Sequence, residues 1–177
     1  FECGETKEAK LIGFTIQNGL GDGSYDSNKG GGICISPADF LCSSAATINH
    51  CIIQNNTAER GGGIYTSYNS DTVFVNNTII RNNSASRGGG MHIADGSKTI
   101  FENCLITYNT ATGSGDPWRG GGGINVQDNN SYSGGPTIFI HSTIANNTAS
   151  VGGGINIFRS DTELRNCIVY NNNGGPN

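Results

Sequence analysis

Two residues beyond each of five glycine triplets, the chain places a side chain able to react or to hydrogen-bond: Cys34, Tyr65, His92, Asn125 and Asn156. Tyr65, His92 and Asn125 would suit a sugar by stacking and hydrogen bonding. The competing reading is an ordinary solvent-exposed strand face. The next outward column is Ser36, Ser67, Ala94, Gln127 and Phe158, and neither column holds the carboxylate pair that acid–base chemistry on a polymer needs. Glu102, Glu163 and Arg165 also read as outward, with the two glutamates two repeats apart. Inverting glycosidases hold their carboxyls about 6.5–9.5 Å apart, so that pair qualifies on distance alone, and solvated charge is the expected role. No catalytic residue is assigned, and the chain is not expected to be an enzyme.

The remaining chemical types give as little. His50 and His141 sit in a column of bend residues, no Cys/His spacing suits zinc, and no hydroxyl has the context of a nucleophile. Insertions are better ground, because binding residues gather in loops held by a rigid frame. Residues 19–29 and 113–119 lengthen one corner of the repeat, and residues 36–44 and 127–135 another. The first pair carries Tyr25 and the single tryptophan, Trp118, which is expected to stand exposed near Asp116 and Arg119 as a carbohydrate or protein contact, or else to cover its own loop. Asp22, Ser24, Asp26 and Asn28 alternate oxygen-bearing side chains, a weak calcium pattern without the bidentate Glu of a full loop. No other metal or cofactor is expected. The run from Gly19 to Gly23 is not a nucleotide loop, since no helix follows it.

What positions these residues is a repeat. The triplets at 30–32, 61–63, 88–90, 121–123 and 152–154 recur every 27 to 33 residues, the mark of one supersecondary unit stacked on copies of itself. Between them run matching columns: Ile16, Ile53, Ile80, Ile106, Ile144 and Val169; Phe14, Cys51, Thr78, Cys104, Ser142 and Cys167; Leu11, Ile48, Val75, Phe101, Phe139 and Leu164. After each triplet come Ile33, Ile64, Met91, Ile124 and Ile155, then Ile35, Thr66, Ile93, Val126 and Ile157. Alternation of this kind predicts short strands with one buried face, three per repeat. No helical period appears. Stacked parallel strands about 4.8 Å apart then form a solenoid of about six coils, near 30 Å long.

The three-residue gap between Ile48 and Cys51 requires a bend, and the bend column reads Gly13, His50, Asn77, Asn103, His141 and Asn166, types that tolerate a left-handed backbone. A second column, Asn56, Asn83, Asn109, Asn147 and Asn172, is placed to pass carboxamide hydrogen bonds from coil to coil. Ala58, Ala85, Ala111 and Ala149 leave room where the chain turns into the triplet. The phrase Asn-Cys-x-Ile-x-x-Asn-x-Ala followed by Gly-Gly-Gly-Ile resembles the repeat of secreted and surface right-handed parallel β-helix proteins of bacteria. It is similar to the repeats of chlamydial polymorphic outer-membrane proteins, with a third Gly in place of Ala and Ile-x-x-Asn in place of Phe-x-x-Asn. The resemblance covers residues 10–172. It implies an all-β fold, a right-handed parallel β-helix forming one domain over residues 1–177, in a scaffold that carries lyases, hydrolases, adhesins and passive shafts.

Composition narrows the partners. A net charge of −4 and the expectation of no Lys/Arg stripe to neutralise phosphates argue against nucleic acid, and no apolar run is long enough to span a membrane. Cys51, Cys104 and Cys167 read as small buried core residues in alternate coils, out of disulfide reach. Cys34 with Cys42 is a candidate disulfide, Cys3 an alternative partner for either, and an oxidising extracellular setting suits both this and the resemblance. Asn55, Asn76, Asn82, Asn129 and Asn146 open glycosylation sequons, although Asn-Asn-Thr is also turn chemistry. Thr99, Thr137 and Thr162 form a partial rank, but inward-facing, which is weak support for ice binding. Neither end reads as capped, so the chain is either a slice of a longer β-helix or stacks on other copies. The expected function is an extracellular structural or adhesive module, in its sharpest form a glycosylated filament subunit associating with itself head to tail. The alternative is a polysaccharide-binding or polysaccharide-cleaving protein of lyase or glycosidase type.

Overall fold

The structure, a computed structural model, describes residues 6–21, 28–36, 44–67, 70, 72–128 and 135–175. Coil two shows how local sequence makes a rung. Thr47–Asn49 is extended, His50 turns with φ 52°, and Ile52–Gln54 is extended. Asn55 then turns with φ 56°, Thr57–Arg60 is extended, Gly61 turns with φ 63°, and Ile64–Thr66 completes the rung. Among the described residues, coils two to five thus each have four short strands rather than the expected three. The extra strand is the Ala-bearing segment read as a turn, in which Ala58 points inward while Thr57 and Glu59 face water.

Left-handed residues make every corner. The bend column holds φ 76°, 52°, 48°, 53°, 49° and 52° from Gly13 to Asn166, as expected of its residue types. A further corner runs through Asn18, Asn55, Asn82, Tyr108, Asn146 and Asn171, another through the first glycine of each triplet, and the last through Asp95, Asp128 and Arg159. An ordinary L-residue held there costs roughly 1–2 kcal/mol, which is why Asn, Asp and Gly fill most of these places.

The rungs stack in register as four parallel sheets, two of six strands and two of five. Ile53, Ile80, Ile106 and Ile144 are direct vertical partners and all are buried. Like lies on like across the core, and the rings of Phe101 and Phe139 stack 4.5 Å apart and 4° from parallel. Thr99 and Thr137 are buried inward, as their register predicts.

Each glycine of a triplet answers a separate demand. Gly61 adopts the left-handed corner; a Cβ on Gly62 would lie 2.4 Å from the Ser84 carbonyl oxygen and 2.5 Å from that of Gly89. A Cβ on Gly63 would lie 2.6 Å from the Gly90 carbonyl oxygen and 3.1 Å from Asn83 Nδ2. The triplet therefore lets neighbouring coils close on each other beside the asparagine column. In that column Nδ2 of Asn56, Asn83, Asn109 and Asn147 donates to Oδ1 of the following asparagine at 2.9–3.0 Å. The same acceptor takes the backbone N–H of the donor residue at 3.0 Å. Every ladder Nδ2 also donates to the preceding coil's core-residue carbonyl, as Asn83 does to Ile53 at 2.9 Å. At the first coil Gly19 stands in the column and donates its own N–H to Asn56 Oδ1.

Cys51 and Cys104 are buried as expected, and burial pushes the Cys104 thiol up to about 11. Cys167 corrects the expectation: it is only partly buried, because it lies in the last coil with no rung beyond it among the described residues. Among those residues no helix is long and apolar enough to cross a membrane.

Candidate functional site: the outer face of the glycine sheet

The strands that follow the triplets, Ile33–Ile35, Ile64–Thr66, Met91–Ala94, Ile124–Gln127 and Ile155–Phe158, form one parallel sheet. Its register sets Cys34, Tyr65, His92, Asn125 and Asn156 one above the other on the outer face. The sequence thus placed the column correctly, but not its surroundings. Cys34 is exposed, whereas Tyr65, His92, Asn125 and Asn156 are buried, so the reading of an open strand face is corrected.

Two covers account for the burial. Residues 112–120 fold over the lower half, where Asn125 Nδ2 donates to the Trp118 carbonyl at 2.9 Å and Asn156 Nδ2 to the Pro117 carbonyl at 2.9 Å. Asn156 also donates to Asn125 Oδ1 at 3.0 Å, and Asn125 Nδ2 stands 3.2 Å from His92 Nδ1. Trp118 is partly buried, its ring 6.1 Å from that of Phe158, while Asp116 and Arg119 pair at 3.1 Å within the loop. The tryptophan thus leans on the end of the next coil's strand and is only partly exposed. Over the upper half, the Tyr65 and His92 rings stack at 5.6 Å and Lys29 Nζ lies 5.5 Å above the Tyr65 ring.

The electrostatics follow from this enclosure. Burial first, then the charges of Arg60, Arg87 and Lys29, lower His92 from the usual 6.5 to about 3, so the imidazole is neutral. Burial likewise raises the Tyr65 phenol. Its hydroxyl makes no well-formed hydrogen bond among the described residues, although Ser67 lies close enough to ease its ionisation. A buried neutral histidine wedged between a ring and an amide is a packing element, and it presents no free edge to a ligand.

Two features of this face were not legible in the sequence. Lys29, Arg60 and Arg87 occupy the position immediately before the triplet in three successive coils, and the structure pairs Lys29 with Arg60 and Arg60 with Arg87 as lateral neighbours. The expectation of no Lys/Arg stripe is thereby corrected to a short column of three cations. The sequence signal is the cation that immediately precedes each of the first three glycine triplets. Across the sheet, Asp95 and Asp128 are successive members of the last corner, one residue beyond the outward column searched for carboxylates. Burial and the charge of Asp128 raise the Asp95 carboxyl, and Arg60 and Lys29 partly offset this.

The other candidates scatter. His50 and His141 are bend residues. Asn55 and Asn82 are exposed at the second corner, Asn146 is half-buried there and accepts from Asn171, and Asn76 is half-buried in a strand. Glu163 pairs with Arg165 in its own strand. Asn28 spends its Oδ1 on the Glu59 N–H at 3.1 Å. Asp22, Ser24, Tyr25, Asp26, Cys3, Cys42 and Asn129 lie outside the described residues, and with them most of the calcium candidate and the partners proposed for Cys34. Among the described residues no group of three or more His, Cys, Asp or Glu side chains is disposed to hold a metal ion.

Residues 5–176 match the family model described as a right-handed beta helix region. Neither the curated proteins nor the solved structures contain a significant match.

Proposed function

Since this chain belongs to the right-handed β-helix family, we propose that it is a structural module of a secreted or surface assembly, extended end to end by a second copy of itself. One observation supports the reading: among the described residues, the first and last coils expose the columns that inner coils bury. Val169 is 48% exposed and Leu164 44% exposed, while the equivalent Ile53, Ile80, Phe101 and Phe139 are fully enclosed by the coils above and below. Phe14, in the column of buried Cys51, is 56% exposed at the opposite end. A surface shaped by coil-on-coil packing is covered best by another coil. The two ends are opposite faces of one repeat, so the contact is heterologous and propagates rather than closes. Among the described residues the strands of the first and last coils are paired on one side only, so a further coil adds main-chain pairing. The exposed corner column of Asn55 and Asn82, with Asn146, gives attached glycans a row along the shaft, away from either end.

Light scattering against concentration, with electron microscopy, tests the proposal. Mass that rises with concentration, as rods one coil wide, is expected, and Val169→Glu with Leu164→Glu should hold the protein monomeric. Monodisperse short particles at every concentration would refute the self-stacking reading.

A further inference from the structure

We propose that Lys29, Arg60 and Arg87 form a binding site for an acidic polysaccharide, a sugar chain bearing carboxylate or sulfate groups, laid parallel to the solenoid axis. This goes beyond the structural role above, because it concerns the flank of the shaft and not its ends.

The geometry is that of a ladder. The three residues are lateral partners on consecutive coils, so their backbones repeat at about 4.8 Å and together span about 10 Å. All three are partly exposed at a corner of the rung, beside the outer face of the glycine sheet. The floor beside them is rigid: the Tyr65 and His92 rings are stacked and buried, with Lys29 Nζ above the Tyr65 ring. Cations at fixed intervals over an unyielding floor suit anionic groups repeated along a polymer. No vacancy is required, because a guanidinium carries five donors and, once engaged, still offers others to an oxyanion.

Charge selects among polyanions. The chain as a whole is at −4, and Asp95 and Asp128 stand across the sheet from the cations. A densely charged nucleic acid meets that repulsion along its length, and the Tyr65 and His92 rings beside the cations are buried out of reach of a base. A glycan with charges spaced by neutral hydroxyls gains from both edges, since its hydroxyls can donate to Asp95 and Asp128. Neutral sugars gain little at the cations, because the Tyr65 and His92 rings beside them are sealed from contact.

Affinity electrophoresis and calorimetry on the whole chain test the site, with a polyuronate oligomer, dextran sulfate, neutral dextran and single-stranded DNA as probes. Retention by the polyuronate or by dextran sulfate, weakened by salt, is expected, and the stronger of the two identifies the anionic group. Arg60→Gln and Arg87→Gln should each lower that affinity about ten-fold, the loss of one charge-assisted hydrogen bond. Arg165→Gln, on a different sheet, should leave it unchanged, and circular dichroism verifies that each variant is folded. Should Arg60→Gln fail to fold, Lys29→Gln takes its place. Equal binding by the folded variants and the parent, preference for DNA or for neutral dextran, or no retention by either acidic glycan overturns the proposal.

Discussion

Replacing Asn109 by alanine cuts the asparagine ladder at its centre, and the structure fixes what is lost. Asn109 Oδ1 accepts both the Asn83 backbone N–H and Asn83 Nδ2 at 3.0 Å; its own Nδ2 donates to the Ile80 carbonyl at 2.9 Å and to Asn147 Oδ1 at 3.0 Å. The variant leaves two buried donors of Asn83 without that acceptor and takes one donor from Ile80. At about 1–3 kcal/mol for each orphaned buried group, the two donors alone predict roughly 2–6 kcal/mol, the low end applying if a water enters. A loss of that size is a large part of a small domain's total stability. Urea unfolding is the assay, with Gln54→Ala as the control: on the outer face, Gln54 donates to Gln17 at 2.7 Å and accepts from Arg81 Nε at 2.9 Å, and the change should cost no more than about 1 kcal/mol because water can replace both bonds. Asn109→Asp keeps the acceptor but turns a carboxylate oxygen toward the Ile80 and Asn147 oxygens, so it should be at least as harmful at neutral pH and recover on acidification. A cost below about 1 kcal/mol for Asn109→Ala, on the scale of an ordinary surface change, would refute the view that the column is a continuous buried network.

Gly89→Ala should abolish soluble expression, since its Cβ would lie 2.4 Å from the Thr110 carbonyl oxygen and 2.6 Å from that of Gly122; Gly115→Ala, with open space around it but φ +89°, should cost only about 1 kcal/mol in thermal unfolding. His50→Gly should be neutral or mildly stabilising and His50→Val should lose roughly 1–2 kcal/mol, because residue 50 holds a φ of 52°. His92, lowered from 6.5 to about 3, contributes stability that is complete above pH 6.5 and lost as the pH falls toward 3. Between pH 7 and 5 that loss is about 2 kcal/mol, and His92→Gln should flatten it in urea titrations. Asp95, whose carboxyl is raised, works in the opposite sense by regaining stability on acidification, so the comparison with His92→Gln isolates the histidine.

The fold was legible because like stacks on like: a column such as Ile53, Ile80 and Ile106 survives changes of loop length, and Gly13, His50 and Asn77 share one rare backbone state. The fourth strand was hidden because Thr57–Arg60 carries a single inward alanine, too small a signal to separate a strand from a turn. The flank was read less well for another reason. Alternation says which way Asn125 and Asn156 point, but their burial depends on residues 117 and 118 folding back over the outer face of the sheet, and no local pattern encodes that fold-back. The cation column escaped because its members belong to three repeats of unequal length and fall at a corner, where alternation ceases to assign a side.

The carboxamides of the ladder all face one way, oxygen toward the first coil and, from Asn56 to Asn147, one amide hydrogen toward the last, the other being held by a core carbonyl of the preceding coil. Aligned dipoles reinforce one another in a low-dielectric interior, so the shaft is electrically polar along its length, with its positive pole at the coil of Asn172. In the proposed end-to-end assembly, growth from the two tips would then be unequal, in the manner of a polymer with a fast and a slow end.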